Sequence, residues 1–267
     1  MASPMYRQIA EVLREQIELG KLKPGQQLQT EVELRKRYAA SRNTIRDAIK
    51  WLTSLGLVET RPGQGTFVVK KIDPFITTLT ADPTTGLGGG EGATYLSEVS
   101  ATTRRPSFSE PQVEIQKAVG DVSARMGVPE GTSVISRHQR RFIDEFPWSL
   151  QTSFYPRGFV AQGADRLIEA DDIPEGTVTY LARTLGLQQV GYRDWMKVRA
   201  PDANEASFFN LPQDGRVGVV EIFRTAFDQT GSPMRLTVTV FPADRNQFIV
   251  NAGKIPEPKE GEAEQKT

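Results

Sequence analysis

Apolar residues recur at helical spacing near the start of the chain. A stripe of them predicts a first helix between residues 4 and 19, formed by Ile9, Val12, Leu13 and Ile17. Gly20 ends this helix, and Pro24-Gly25 marks the turn that follows.

Two further helices are predicted in close succession. Thr30 and Glu33 have capping-box spacing, so the second helix begins at Glu31 and buries Val32, Leu34 or Tyr38. After a short turn, Ser41 is a suitable N-cap for the third helix, in the stretch SRNTIRDAIKWL. The apolar positions of that helix are Ile45, Ala48, Ile49 and Leu52. Two helices joined by so short a turn form a helix-turn-helix.

The segment LVETRPGQGTFVV predicts a β-hairpin directly after these helices. Its β-prone flanks are 57–58 and 67–69, and Pro62-Gly63 supplies a tight turn between them. A hairpin in this position is the wing of a winged helix.

The remainder of the chain predicts a separate α+β domain. Residues 71–107 are rich in Gly, Thr and Pro and show little periodicity, which favours a flexible linker. Strand-like runs and hairpins then alternate with helical pieces at 121–126, 159–169, 177–185 and 202–210. The predicted order is a winged helix-turn-helix over 1–70, a linker over 71–107, a mainly antiparallel sheet domain over 108–252 and a disordered tail over 253–267.

Charge and composition narrow the function classes. Residues 1–70 hold 12 Lys and Arg against 7 Asp and Glu, whereas the remainder is acidic by the same margin in a neutral chain. This asymmetry fits one module that meets a polyanion. The chain has no cysteine and one histidine, so no thiolate or multi-histidine metal site, and no cofactor, is expected. The absence of cysteine, of a signal sequence and of a long apolar run favours a cytoplasmic protein.

The third helix and the wing carry the candidate DNA contacts. Arg42, Arg46 and Lys50 lie one turn apart on one side of this helix. Taken alone, this basic row is as well explained by a face exposed to solvent. The capping box, the short turn and the Gly-rich wing in this order favour a helix that lies in the major groove. Arginine can bond guanine, Asn can bond adenine, and groups at the helix start suit phosphates. The predicted DNA-binding residues are Arg35, Ser41, Arg42, Asn43, Thr44, Arg46, Lys50, Arg61, Gly63, Gln64 and Gly65.

The N-terminal motifs resemble the winged-helix domain of the GntR family of bacterial transcription regulators. The shared motifs are Pro24-Gly25, Thr30-Glu31, the stretch SRNTIR, Gly56-Leu57 and GQGTF. Family members often carry an Arg where this chain has Val32, so the operator preference of a relative does not transfer.

The segment after residue 108 is similar to the HutC-type effector domain (UTRA), which has a chorismate-lyase-like fold. The resemblance implies a pocket over the sheet for a small, often anionic metabolite. The residues it implicates are Arg137, Gln139, Arg141, Gln151, Thr177, Thr179, Tyr180 and Arg235. Three of them depart from the family, which often has Arg in place of Gln139 and Glu in place of Gln151 and Arg235.

Several residues of this domain could instead have purely structural roles. Arg141 and Arg235 could be surface salt-bridge partners, and Thr177 and Thr179 could simply begin a helix. We expect the aromatic residues Trp148, Trp195 and Phe223 to belong to the core, and His138 to be structural.

The leading hypothesis is a homodimeric repressor that binds double-stranded operator DNA and is released by a small-molecule effector. An alternative is an effector-independent repressor whose C-terminal domain only dimerises. An enzymatic function, suggested by the lyase-like fold, has little support, because the single histidine has no nucleophile partner at motif spacing.

Overall fold

The computed structural model describes residues 3–61, 63–69, 74–80, 92–212 and 215–251. The chain divides into two units, Met1–Asp73 and Pro74–Thr267. Among the described residues, no helix combines the length and the apolar character needed to cross a membrane.

The first unit is the predicted winged helix-turn-helix. Its elements are α1 (Met5–Glu18), α2 (Glu31–Tyr38), α3 (Arg42–Ser54), β1 (Val58–Arg61) and β2 (Gly65–Val68). The capping box is present, since Thr30 Oγ1 accepts from the Glu33 N–H and the Glu33 carboxylate accepts from the Thr30 N–H at 2.7 Å. The apolar stripes of α1 and α3 close on one core with Leu34, whereas Val32 is 71% exposed.

The wing contains more than the predicted hairpin. The segment before α2 runs alongside β2: Leu28 N–H donates to the Thr66 carbonyl at 2.7 Å, and Val68 N–H donates to the Gln26 carbonyl at 2.8 Å. These bonds fix β2 on the side away from β1, so the stretch after α1 helps to position the wing.

The second unit is built on a mainly antiparallel sheet, as predicted. Over the described residues its strands are β3 (Phe75–Thr78), β4 (Pro106–Phe108), β5 (Gln112–Lys117), β6 (Ser133–Ile143), β7 (Phe146–Pro156), β8 (Gln189–Arg199), β9 (Val219–Asp228), β10 (Pro233–Pro242) and β11 (Asn246–Ile249). The main sheet has the order β4-β6-β7-β10-β9-β8, with β5 also paired to β6. Strands β3 and β11 form a separate parallel pair.

Helices cover the two faces of the main sheet. They are α4 (Gly92–Ser100), α5 (Asp121–Met126), α6 (Gly158–Ala161), a 3-10 turn (Asp165–Ile168), α7 (Thr177–Leu185) and α8 (Ala203–Phe208). The helix predicted over 159–169 is broken in two, because Gly163 adopts a φ of +104° that a helix cannot contain. The predicted helix over 202–210 is shorter, because Asp202 caps it and Phe209 ends it.

The flexible linker predicted over 71–107 is wrong for its described residues. Strand β3 pairs with β11, α4 buries Tyr95 and Val99, and β4 pairs with β6. Isolated apolar residues in a Gly- and Thr-rich stretch give no readable period, since none of these short elements buries more than two of its described side chains. Residues 70–73 and 81–91 of that segment, and the tail predicted over 253–267, lie outside the described residues.

Candidate DNA-binding and effector sites

The third helix separates its two faces by chemistry. The side chains of Ile45, Ala48, Ile49 and Leu52 are buried in the core of the first unit. The opposite face presents four exposed side chains that were predicted to meet DNA, namely Arg42, Asn43, Arg46 and Lys50. Such a face has the shape and donors that suit the edges of bases in a major groove.

The start of α3 is organised by two hydroxyls. Ser41 Oγ accepts from the Thr44 N–H at 3.1 Å, and the two hydroxyl oxygens lie 2.8 Å apart. Thr44 is half-buried, so its hydroxyl serves the cap of the helix first. Arg42 reaches back to the Glu31 carboxylate at 3.3 Å, which links the recognition helix to the start of α2. On α2, Arg35 is exposed.

The wing tip is held in a narrow loop. Gly63 and Gly65 have φ values of +72° and +119°, which favour glycine. Gln27 Nε2 donates to the Gln64 carbonyl at 2.8 Å, and a Cβ on Gly65 would lie 2.4 Å from that nitrogen. Arg61 pairs with Glu59 at 2.6 Å and lies 4.5 Å from the centre of the Phe67 ring. The exposed Arg61 therefore keeps its charge at the surface of the wing.

The second unit carries a buried polar face on its main sheet. Strand register places Arg137, Gln139 and Arg141 of β6 opposite Ser153, Gln151 and Ser149 of β7, which confirms that the three β6 residues share one face. Thr237 and Thr239 of β10 continue it beyond Ser153 and Gln151. Arg235 follows the same alternation on β10, opposite Ala226. We call the following set the polar face: Arg137, Gln139, Arg141, Ser149, Gln151, Ser153, Arg235, Thr237 and Thr239.

The arginines of this face are interior residues. Arg141 is 3% exposed and Arg235 is 6% exposed, so the alternative of surface salt-bridge partners is wrong. Arg235 donates to the Gln189 side chain at 3.3 Å. Arg141 lies 4.9 Å from the centre of the Tyr95 ring. Burial raises the pKa of Tyr95 to about 12, so its hydroxyl stays protonated and donates to the Phe142 carbonyl at 2.9 Å.

Arg137 is brought to the face but is used by the protein itself. Its guanidinium donates to the backbone carbonyls of four residues, at 2.6 to 3.1 Å, which are Arg166, Leu167, Glu169 and Asp171. Arg137 therefore holds the loop after the 3-10 turn against the sheet. These bonds give Arg137 a structural role in place of the predicted effector contact.

The three predicted effector residues of α7 differ in burial. Tyr180 is a core residue beside Ile135 and Tyr155, and its hydroxyl accepts from the Arg166 N–H at 3.2 Å. Thr177 is half-buried and Thr179 is exposed. Tyr180 thus has a structural role in the core of the second unit.

Two oxygen atoms of the polar face could each accept a further hydrogen bond. Within the part of the chain that is described, Ser149 Oγ and Gln151 Oε1 are buried and have no partner. Gln151 Nε2 does contact Ser153 Oγ at 3.4 Å, so the amide is anchored through its nitrogen. Buried atoms of this kind cost about 1–3 kcal/mol each if nothing satisfies them. A ligand or water on this face would supply the missing hydrogen bonds.

Two family profiles match this chain. Residues 5–68 match the profile of bacterial regulatory proteins of the gntR family, and residues 103–247 match that of the UTRA domain. The chain belongs to the GntR family of transcription regulators. A gntR-type winged helix, which we call the head, followed by a UTRA domain is the HutC-type architecture. The relatives in this family are regulators rather than enzymes.

The relatives of this GntR-family chain match different shares of its length. The transcriptional repressor NagR of Bacillus subtilis is 21% identical over 247 residues, which is 92% of this chain and 93% of NagR. The repressor MngR of the mannosyl-D-glycerate transport and metabolism system in Escherichia coli is 46% identical over 65 residues, 24% of this chain and 27% of MngR. The crystal structure of PhnF from Mycobacterium smegmatis shares the fold with a TM-score of 0.54 at 20% identity, over 92% of this chain and 98% of PhnF.

Several residues of this GntR-family regulator's polar face were not predicted. Ser149, Ser153, Thr237 and Thr239 follow strict alternation in β7 and β10, so a period-two reading of those strands would have found them. Tyr95 could not be found in this way, because its helix lies in a stretch without period. Of the aromatic residues expected in the core, Trp148 and Phe223 are buried, whereas Trp195 is 55% exposed and is not a core residue.

Proposed function

We propose that this GntR-family regulator is a cytoplasmic, homodimeric repressor that leaves its operator when a small polar molecule binds at the polar face. The DNA contacts are assigned to Arg42, Asn43, Arg46 and Lys50 of α3, with Arg61 and the tip of the wing on the adjacent groove or backbone. Two heads on a dimer would read the two halves of a palindromic operator.

The observation that carries the effector part of the proposal is the pair of unsatisfied atoms, Ser149 Oγ and Gln151 Oε1. A domain that served only to dimerise would gain stability from apolar residues at these positions, since unpaired buried acceptors are costly. A hydroxyl or amine of a ligand could donate to Gln151, while Arg141 and Arg235 lie on the same face for an anionic group. The replacement of Glu by Gln151 and by Arg235 makes this face less acidic than in many relatives.

Release of DNA requires that the effector binds one conformation more tightly than another. If the operator-bound dimer and the released dimer had equal affinity for the ligand, binding would shift nothing. If the effector weakens operator binding by some factor, bound operator must weaken effector binding by that same factor.

Selection of bound fragments from genomic DNA, followed by a metabolite screen, tests this function. A fluorescent operator from the selection is held by the full-length protein, and its anisotropy is followed as polar metabolites are added. We expect a compound that releases the wild-type protein to fail with Gln151→Leu, which keeps the operator affinity. The matched control is Gln162→Leu at the exposed end of α6, which should respond like the wild type.

Two results would redirect the proposal. Release of Gln151→Leu at the wild-type effector concentration would remove the polar face from the mechanism. An intact dimer that binds its operator and responds to no compound would favour the effector-independent repressor.

A further inference from the structure

The main sheet carries a cleft on the face opposite the polar face. Strand register places His138 opposite Thr152, and Thr152 opposite Val238, while Arg140 and Val240 flank Leu150 in the next row. These six side chains alternate with the residues of the polar face, so they point to the other side of the sheet. Helix α8 forms the wall above them, and the cleft encloses about 660 Å³. This volume lies within the range of small-molecule sites.

The charges around the cleft are not equivalent. On the α8 side, the Glu205 carboxylate accepts from both terminal nitrogens of Arg199 at 2.6 and 2.7 Å, and from the Asp202 N–H at 2.8 Å. Asp202 in turn accepts from the Glu205 N–H at 2.8 Å. Both acids are therefore engaged in holding the start of α8.

Arg140 is the cation of the cleft that is left for a partner. It is exposed, it lies 5.7 Å from the centre of the Phe208 ring, and it forms no ion pair with any described residue. Beside it, His138 Nδ1 shares a hydrogen bond of 2.9 Å with Thr152 Oγ1, which leaves Nε2 as a second polar atom for a ligand. The rest of the floor is apolar, through Leu150, Val238 and Val240.

We propose that this cleft binds a small organic anion, with its carboxylate or other acidic group on Arg140 and its apolar body on the floor. An arginine offers several donors to one anionic group, and such charge-assisted bonds are among the strongest in proteins. The site is distinct from the polar face and does not rest on the effector proposed there. Gln139 and Gln151 of the polar face alternate with the floor residues on the same two strands, so a ligand in the cleft would lie directly behind them.

The single histidine of the chain makes the proposal testable with the full-length protein. His138 gives the only imidazole signals in an NMR spectrum, and it lines the cleft. Benzoate is the probe, and benzamide is a neutral control of nearly the same shape. We expect benzoate to shift the imidazole signals saturably, and benzamide to bind at least about tenfold more weakly because it lacks the charge.

The pKa of His138 provides a second readout. Burial and then the nearby Arg140 lower the pKa of this imidazole, whereas Glu114 on β5 raises it. Asp202 and Glu205 are the other charged groups that face the cleft, from the α8 side. A benzoate bound to Arg140 would offset the effect of that cation, so saturation should raise the pKa of His138.

Three variants complete the experiment. Arg140→Gln should weaken benzoate binding about tenfold or more, whereas Arg157→Gln, at another exposed arginine of the same unit, should leave it unchanged. Ser207→Trp on the wall should block the cleft without changing its charge. The proposal is overturned if benzoate leaves the imidazole signals unmoved, if benzamide binds equally well, or if Arg140→Gln binds like the wild type.

Discussion

Arg42 of the recognition helix and Arg224 of the main sheet are the same side chain in opposite surroundings. The Arg42 side chain is 69% exposed and touches only the Glu31 carboxylate among its described ion-pair partners. Arg224 is 3% exposed, forms two bonds to Asp194 at 2.7 and 2.8 Å, and lies 3.9 Å from the centre of the Tyr192 ring. The first has donors to spare for another molecule, whereas the second is held within the fold.

Because of this difference, removing the two kinds of arginine should affect two different properties, DNA affinity and folding stability. Removing an exposed arginine of the head should reduce affinity for DNA and leave folding intact, because its bonds are formed in the complex. Removing a buried arginine of the sheet should reduce stability, because a buried carboxylate or carbonyl is left without its donor.

The largest expected effect follows from Arg224→Ala. The variant strands Asp194 in a partly buried site, so we expect the free energy of unfolding of the second unit to fall by about 3–5 kcal/mol. Urea unfolding followed by tryptophan fluorescence measures it. Arg193→Ala, at the exposed neighbour of Asp194, is the control and should change stability by no more than about 0.5 kcal/mol.

A double variant sharpens this result. Arg224→Met with Asp194→Leu removes both charges, so it should recover much of the loss. If the single variant loses less than about 1 kcal/mol, burial of this arginine does not matter for stability and the contrast with the head fails.

The next effect concerns the exposed side of the comparison. Arg46→Ala should weaken operator binding by about 1–3 kcal/mol if Arg46 reads a base, with stability unchanged within about 0.5 kcal/mol. Fluorescence anisotropy with the selected operator at fixed salt measures the affinity. Arg7→Ala on α1 is the control, since Arg7 is exposed but lies outside the recognition helix. Equal losses for the two variants would show a general charge effect instead of base recognition.

The same contrast explains what could be predicted from sequence. In the head, each signal is local: Thr30 and Glu33 are three residues apart, Ser41 adjoins its helix, and the apolar stripe of α3 is uninterrupted. These contacts depend on short-range geometry, so the winged helix-turn-helix and its exposed row were predictable. Sequence reasoning found the wing but not the strand-like segment that supports it, because that pairing joins Leu28 to Thr66.

In the second unit, the deciding contacts are distant in sequence. The shared face of Arg137, Gln139 and Arg141 follows from alternation and was predictable. The use of Arg137 by carbonyls some 29 to 34 residues away was not, because that loop has no period of its own. For the same reason α4 was hidden in a stretch that resembled a linker, although its Tyr95 lies against Arg141.

A smaller effect is expected from pH in the second unit. Hydrogen bonds from Arg199 hold the pKa of Glu221 below its ordinary value of 4.5. The folded state therefore binds this proton less readily than the unfolded chain, and the stabilisation is present above the unfolded pKa and is lost as pH falls through the folded pKa. Glu221→Gln should cost on the order of 1 kcal/mol at pH 7 and should lose less stability than the wild type between pH 7 and 3.

Urea unfolding at a series of pH values checks this slope. Glu110→Gln is the control, since Glu110 is exposed and its side chain forms no ion pair among the described residues. A Glu221→Gln curve parallel to that of the wild type would show that Glu221 contributes nothing to the acid sensitivity.

The smallest effect tests whether an uncharged residue of the head can matter for DNA without touching it. Gln27 ties the wing tip through the Gln64 carbonyl, so Gln27→Ala should lower operator affinity about two- to fivefold, which is about 0.5–1 kcal/mol for one neutral hydrogen bond. Gln8→Ala on α1 should have no effect on binding.

Gly65→Ala should reduce operator affinity more than Gln27→Ala does, because its Cβ would both meet Gln27 Nε2 and strain a φ of +119°. Adding Gln27→Ala to Gly65→Ala removes the contact but not the strain, so the double variant should recover only part of the lost affinity. Full recovery would mean that the contact with Gln27, and not the backbone of Gly65, sets the shape of the wing.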